Sequence, residues 1–177
     1  MKEKMLPALL FIGLACSLPA GAQCLSVDDM ATIAADPKSP ARPEQVNLLL
    51  ASDWLFRGTP PKSREIQWVS SASSASADGT MVPAVFVLRP FQQSFDAVLK
   101  TTEASCIKKV RSELKSQKIA AVAVTCPNCE AERYDGPAYQ TTIYSKMKGE
   151  FSYIVVVHPL QAAPTTITKQ GGSTTAQ

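Results

Sequence analysis

The sequence predicts an α+β fold in a single domain, an antiparallel β-meander sheet with helices over one face. Three observations carry that reading. Residues 118–159 read as successive strands, KIAAVAVT, EAERYDG, AYQTTIYSK and EFSYIVVVH. Alternation is sharpest where Tyr139, Thr141, Ile143 and Ser145 point one way and Gln140, Thr142, Tyr144 and Lys146 the other, the pattern of a sheet with one face to bury. An amphipathic helix precedes the run. Over residues 103–117, Cys106, Ile107, Val110 and Leu114 gather on one stripe, while Lys108, Arg111, Lys115 and Lys118 lie together on another. Such a helix supplies the cover without which a meander is not stable.

The first segment stands apart from that domain. Lys2 and Lys4 precede an apolar run from Met5 to Leu18, and Ala20-Gly21-Ala22 follows. A basic start, an apolar stretch too short to span a bilayer and an A-x-A site describe a cleavable secretory signal over residues 1–22. Neither Cys16 nor Cys24 has the preceding residues of a lipoprotein signal, so secretion to a bacterial periplasm or beyond is expected, with the mature chain starting at Gln23. The domain then covers residues 23–162. Residues 163–177, mostly Thr, Gly, Gln and Ser, hold too little apolar surface to pack and are expected to be disordered.

Within the domain, Ser26 caps a short first helix ending at Ala35, with Asp29 at the capping-box position. Pro37, Pro40 and Pro43 make the next stretch a connector. Pro43 suits the first turn of a second helix, in which Val46, Leu49, Leu50, Trp54 and Leu55 form one stripe up to Gly58. A strand over residues 64–70 follows, then a small polar loop, SSASSASADGT, leading into the apolar run Met81 to Leu88. Residues 91–100 fit a strand or a helix; the strand is preferred because Arg89-Pro90 then joins it to the preceding strand as a hairpin. Spacing suggests a tandem pseudo-repeat, a helix plus three strands given twice, over about residues 43–100 and 103–159. That layout is similar to secreted inhibitor proteins that grip an enzyme with a concave sheet, a likeness of architecture carried by no motif.

Signal cleavage leaves Cys24, Cys106, Cys126 and Cys129, an even set in an oxidising compartment. The pairing Cys126 with Cys129 and Cys24 with Cys106 is favoured, because the CPNC cysteines are already close and the other two remain. Cleavage also leaves 16 basic and 14 acidic residues, a balance that selects no charged partner.

Each chemical motif has a plainer reading. A CxxC after a strand is where thioredoxin-like proteins carry a reactive pair, but those folds set the second cysteine on a long helix and need a large remainder with a facing cis-proline. Here EAERYDGP follows Cys129. A structural bond closing a hairpin is preferred to a redox pair, and zinc would require a second CxxC that the chain lacks. His158 is the only histidine, and it reads as a packing or surface residue at a strand end. No G-x-S-x-G, H-E-x-x-H or Gly-rich phosphate loop is present. Glu130 and Glu132 read as solvated charges on an exposed edge, and the basic helix face as a solvated one with no interleaved aromatics for nucleic acid.

The aromatics remain. Trp54, Phe56 and Trp68, with Tyr134, Tyr139, Tyr144 and Tyr153, offer both core filling and, for the four tyrosines, a protein-binding face. The function expected is therefore a secreted or periplasmic non-enzymatic protein-binding domain, most concretely an inhibitor or immunity-type protein that sterically covers a partner. It has no cofactor, no metal and no nucleic-acid partner. The alternatives are a thiol-disulfide oxidoreductase using Cys126 and Cys129, and a cell-envelope assembly factor.

Overall fold

The computed structural model describes residues 24–50, 53–92 and 94–160. The segments read as signal and tail lie outside the described residues. Three helices, α1 (Val27–Ala35), α2 (Pro43–Leu49) and α3 (Ala104–Ser116), accompany one eight-stranded antiparallel sheet. Its strands are β1 (Trp54–Gly58), β2 (Ile66–Ala75), β3 (Met81–Phe91), β4 (Ser94–Thr101), β5 (Ala121–Val124), β6 (Glu130–Asp135), β7 (Tyr139–Ser145) and β8 (Tyr153–Pro159). In space they run β1-β2-β3-β4-β8-β7-β6-β5. Two meanders are thus joined where the last strand of one pairs with the last strand of the other. Among the described residues no helix is long and apolar enough to cross a membrane.

The α+β architecture matches the expectation, with corrections to particular elements. The first half holds four strands where three were expected, because the chain leaves helical geometry at Leu50 (φ −81°, ψ 147°) and Trp54 and Leu55 open β1 rather than extending α2; the second half holds the four runs read over residues 118–159, one more than the pseudo-repeat allowed. A stripe at helical spacing cannot exclude a strand when the run is this short. The loop expected from Ser70 is also corrected. β2 continues to Ala75 and pairs Ser73, Ser74 and Ala75 with Pro83, Val82 and Met81, so pairing across the turn overrides the weak strand preference of serine and alanine. Residues 94–101 form the preferred strand, but Arg89 and Pro90 lie inside β3, opposite Asp96 and Phe95, and the chain reverses between Phe91 and Ser94.

Local chemistry explains the helices. Ser26 Oγ accepts from the Asp29 amide at 3.0 Å, as the capping reading requires. A second cap comes from far along the chain: the Glu113 carboxylate on α3 accepts from the Val27 amide at 3.0 and 3.1 Å and from the Asp28 amide at 3.2 Å. A carboxylate at a helix N-terminus answers both its unpaired amides and its positive end. α1 so held packs on β4 and β8, over the seam of the two meanders. Its Val27, Met30 and Ile33 are buried with Trp68, Phe86, Leu88, Leu99, Ile143 and the predicted stripe of α3, Cys106, Ile107, Val110 and Leu114. α2 packs against β1, and its Asn47 Oδ1 accepts from Trp68 Nε1 at 2.6 Å, giving the buried indole its partner.

Candidate binding face of the sheet

Helices lie on one side of the sheet, and alternation sends a second set of side chains to the other. Register fixes that set. Val87 faces Val98, which faces Val156; Lys100 faces Ile154, which faces Tyr144; Arg89 faces Asp96; and His158 faces Gln140. All lie opposite the face on which Leu99, Val155 and Ile143 meet the helices. The floor of this uncovered face is recessed. Val87 is 1% and Val98 4% exposed. With Ile154 and Val156 they line a cavity of about 320 Å³ whose walls are Glu65, Arg89, Lys100, Tyr144 and Met147.

Beside the cavity lies a charged group that the sequence did not reveal. Asp96 is 4% exposed, in the middle of β4. Arg89 donates from an Nη to Asp96 Oδ2 at 2.8 Å, and His158 Nδ1 lies 2.9 Å from Oδ1. An ionised carboxylate only accepts, so the proton of that second bond sits on His158 Nδ1. Phe91 packs edge-on against the imidazole, with ring centroids 4.6 Å apart. A buried charge needs partners, and Asp96 has two. His158 makes no hydrogen bond to a hydroxyl or thiol among the described residues, so no nucleophile–base pair is formed there. The sequence offered a carboxylate interrupting Phe95 and Ala97 and a lone histidine at a strand end, but nothing that linked the two across 62 residues.

The four tyrosines do not form one surface. Tyr134 is 5% and Tyr139 8% exposed, both on the helix side. The Tyr134 hydroxyl donates to Glu132 Oε2 at 2.6 Å, and the Tyr139 hydroxyl lies 2.8 Å from Asp28 Oδ1 and 2.7 Å from Gln117 Oε1. Burial, followed by the neighbouring carboxylate, pushes each phenol up to about 12. Tyr153 packs against the core from the helix side. Of the four, Tyr144 alone stands on the uncovered face, half-buried in the cavity wall. The alternation of β7 already separated Tyr139 from Tyr144; what it could not supply was which side the helices take.

The remaining predicted residues fall elsewhere. Cys24 and Cys106 have Cα atoms 5.2 Å apart, and so have Cys126 and Cys129, both within disulfide distance. The first pair joins the segment before α1 to the first turn of α3. The second sits in the β5–β6 connection, with Cys129 directly before the first residue of β6 and not at a helix N-terminus. Glu130 and Glu132 do not stand on an edge, because β5 lies outside β6; Glu130 is solvated as expected and meets Lys146 at 2.5 Å, while Glu132 is half-buried and bonded to Arg111 of α3. Among the described residues no cluster of three or more His, Cys, Asp or Glu side chains could hold a metal ion.

With this geometry in hand, comparison with known protein families, with curated proteins and with solved structures finds no match. The reading of function rests on the face itself.

Proposed function

We propose that the mature chain is a secreted, non-enzymatic binding protein that covers a site on another secreted or periplasmic protein with the uncovered face of its sheet. An inhibitor or immunity-type protein is the most concrete form of that activity, and its mechanism is steric. The observation that carries the reading is the recessed apolar floor of Val87, Val98, Ile154 and Val156 ringed by Arg89, Lys100, Glu65 and Tyr144. An apolar centre inside a polar rim is how protein interfaces are built, and tyrosine and arginine are the residue types that most often anchor them. Asp96 supports the reading by locking Arg89 and His158 into place before any partner arrives, which lowers the ordering cost of binding. The position of Cys126 and Cys129 in a hairpin connection supports a staple more than a reactive dithiol.

The test is to capture the partner with the immobilised mature chain and to measure its affinity for variants of both faces. Tyr144→Ala and Lys100→Glu, on the uncovered face, are expected to weaken binding by roughly tenfold or more. Lys109→Glu, exposed on α3, is expected to leave it unchanged. The opposite pattern would move the interface to the helices and end this reading.

A further inference from the structure

The sheet has two outer edges, and they are treated differently. At one, β1 carries a break in register between Phe56 and Gly58, and α2 packs against it. At the other, β5 reads Ala121-Val122-Ala123-Val124, with no charge, no proline and a continuous register against β6. Its first three residues are exposed, and among the described residues no strand pairs with its outer side. Natural edges are normally blunted by charge, proline or bulge, so an unprotected apolar edge is a template for another strand.

The chemistry beside that edge says what kind of strand. On the helix side, a cleft of about 580 Å³ runs between α3 and β5, lined by three cations, Lys108, Arg111 and Lys115, against one carboxylate, Glu132, and by Ala120 and Ala121. Arg111 is bonded to Glu132, yet its buried Nε has no hydrogen-bond partner among the described residues. Lys108 and Lys115 are exposed and make no ion pair among the described residues. Ala121 and Ala123 pair with Tyr134 and Glu132, so they face this cleft, whereas Val122 and Val124 face the uncovered side.

We infer that β5 accepts an extended segment of another protein as a ninth strand, and that this segment alternates acidic residues, placed over the cleft opposite Ala121 and Ala123, with apolar ones beside Val122 and Val124. Charge selects this occupant over the two nearest rivals. A second copy pairing antiparallel through β5 would set its helix layer on the same side and bring Lys108 and Lys115 toward their own counterparts, a like-charge contact. The chain's own residues 161–177 contain no Asp or Glu and carry Lys169, so they lack the complementary charge. This edge is a different surface from the recessed floor and stands or falls independently of the function proposed above.

The probe is a fluorescently labelled heptapeptide alternating glutamate with valine, titrated into the disulfide-intact mature chain and followed by anisotropy. Saturable binding is expected, with the lysine-for-glutamate peptide roughly tenfold weaker or worse. Lys108→Glu with Lys115→Glu is expected to reverse that preference, an outcome that misfolding cannot produce. Two further peptides carry N-methyl groups on the odd or on the even residues. Because a strand presents alternate amides to each edge, one of them should bind like the parent and the other should not. Absence of binding by the glutamate peptide, equal binding of both methylated forms, or a dimer that survives the double charge reversal would each overturn the inference.

Discussion

Asp96→Asn keeps the shape of the side chain and removes the charge that both Arg89 and His158 address. Hydrogen bonds to a charged group contribute more than neutral ones, so the substitution is expected to cost about 1–3 kcal/mol, read as a lower urea midpoint with an unchanged slope. An unchanged midpoint would mean that the buried carboxylate adds nothing to stability. The buried tyrosines give a pH dependence of known sign. The phenols of Tyr134 and Tyr139 are raised from 10.0 to about 12, so above pH 10 the unfolded chain releases protons that the folded chain still holds. Their contribution is complete below pH 10 and is lost between about 10 and 12. Tyr139→Phe should therefore shrink the loss of stability across that window, as measured by urea unfolding at a series of alkaline pH values. A loss of the same size in wild type and variant would contradict the assignment.

At the level of elements, the N-terminus of α1 depends on a side chain 86 residues away. Glu113→Ala removes an acceptor for two α1 amides, and typical capping values predict a loss of about 1–2 kcal/mol. Hydrogen exchange should quicken selectively in α1, because Ser26 remains as the only cap and the Cys24–Cys106 pair still tethers the segment. Uniform acceleration across α1 and the sheet would show instead that α1 does not open alone. This is also the scale at which the sequence was most readable. β6, β7, β8 and α3 were legible because a period of two or of 3.6 ran long enough to be unambiguous. Trp54 and Leu55 were misplaced because they extend the helical stripe of Val46, Leu49 and Leu50, and the five-residue β1 is too short to set a period of two against it. The Ser-Ala stretch of β2 was misplaced because its strand geometry comes from Val82 and Pro83 across the ladder and not from its own composition.

Across the whole molecule, the two meanders make one sheet whose helix side is filled and whose other side holds a recessed apolar floor. That asymmetry was half legible. Alternation told which residues share a face, but only the pairing of β4 with β8 brings Val98 to Val156 and Asp96 to the vicinity of His158. No local pattern carries a contact across so many residues. Alternation against the helix layer explains why a four-tyrosine surface does not form: Tyr134, Tyr139 and Tyr153 lie on the helix side, and Tyr144 alone of the four belongs to the wall of the cavity.

The central claim is that the uncovered face is where a partner sits, and site-specific photo-crosslinking tests it most directly. A photoreactive phenylalanine analogue would be placed in turn at positions 100 and 144 on the uncovered face and at 109 and 116 on α3, in the chain expressed in its own cells. The account predicts one crosslinked species of the same mass from positions 100 and 144 and none from 109 and 116. Crosslinks to a common partner from α3 alone, with positions 100 and 144 silent, would contradict it.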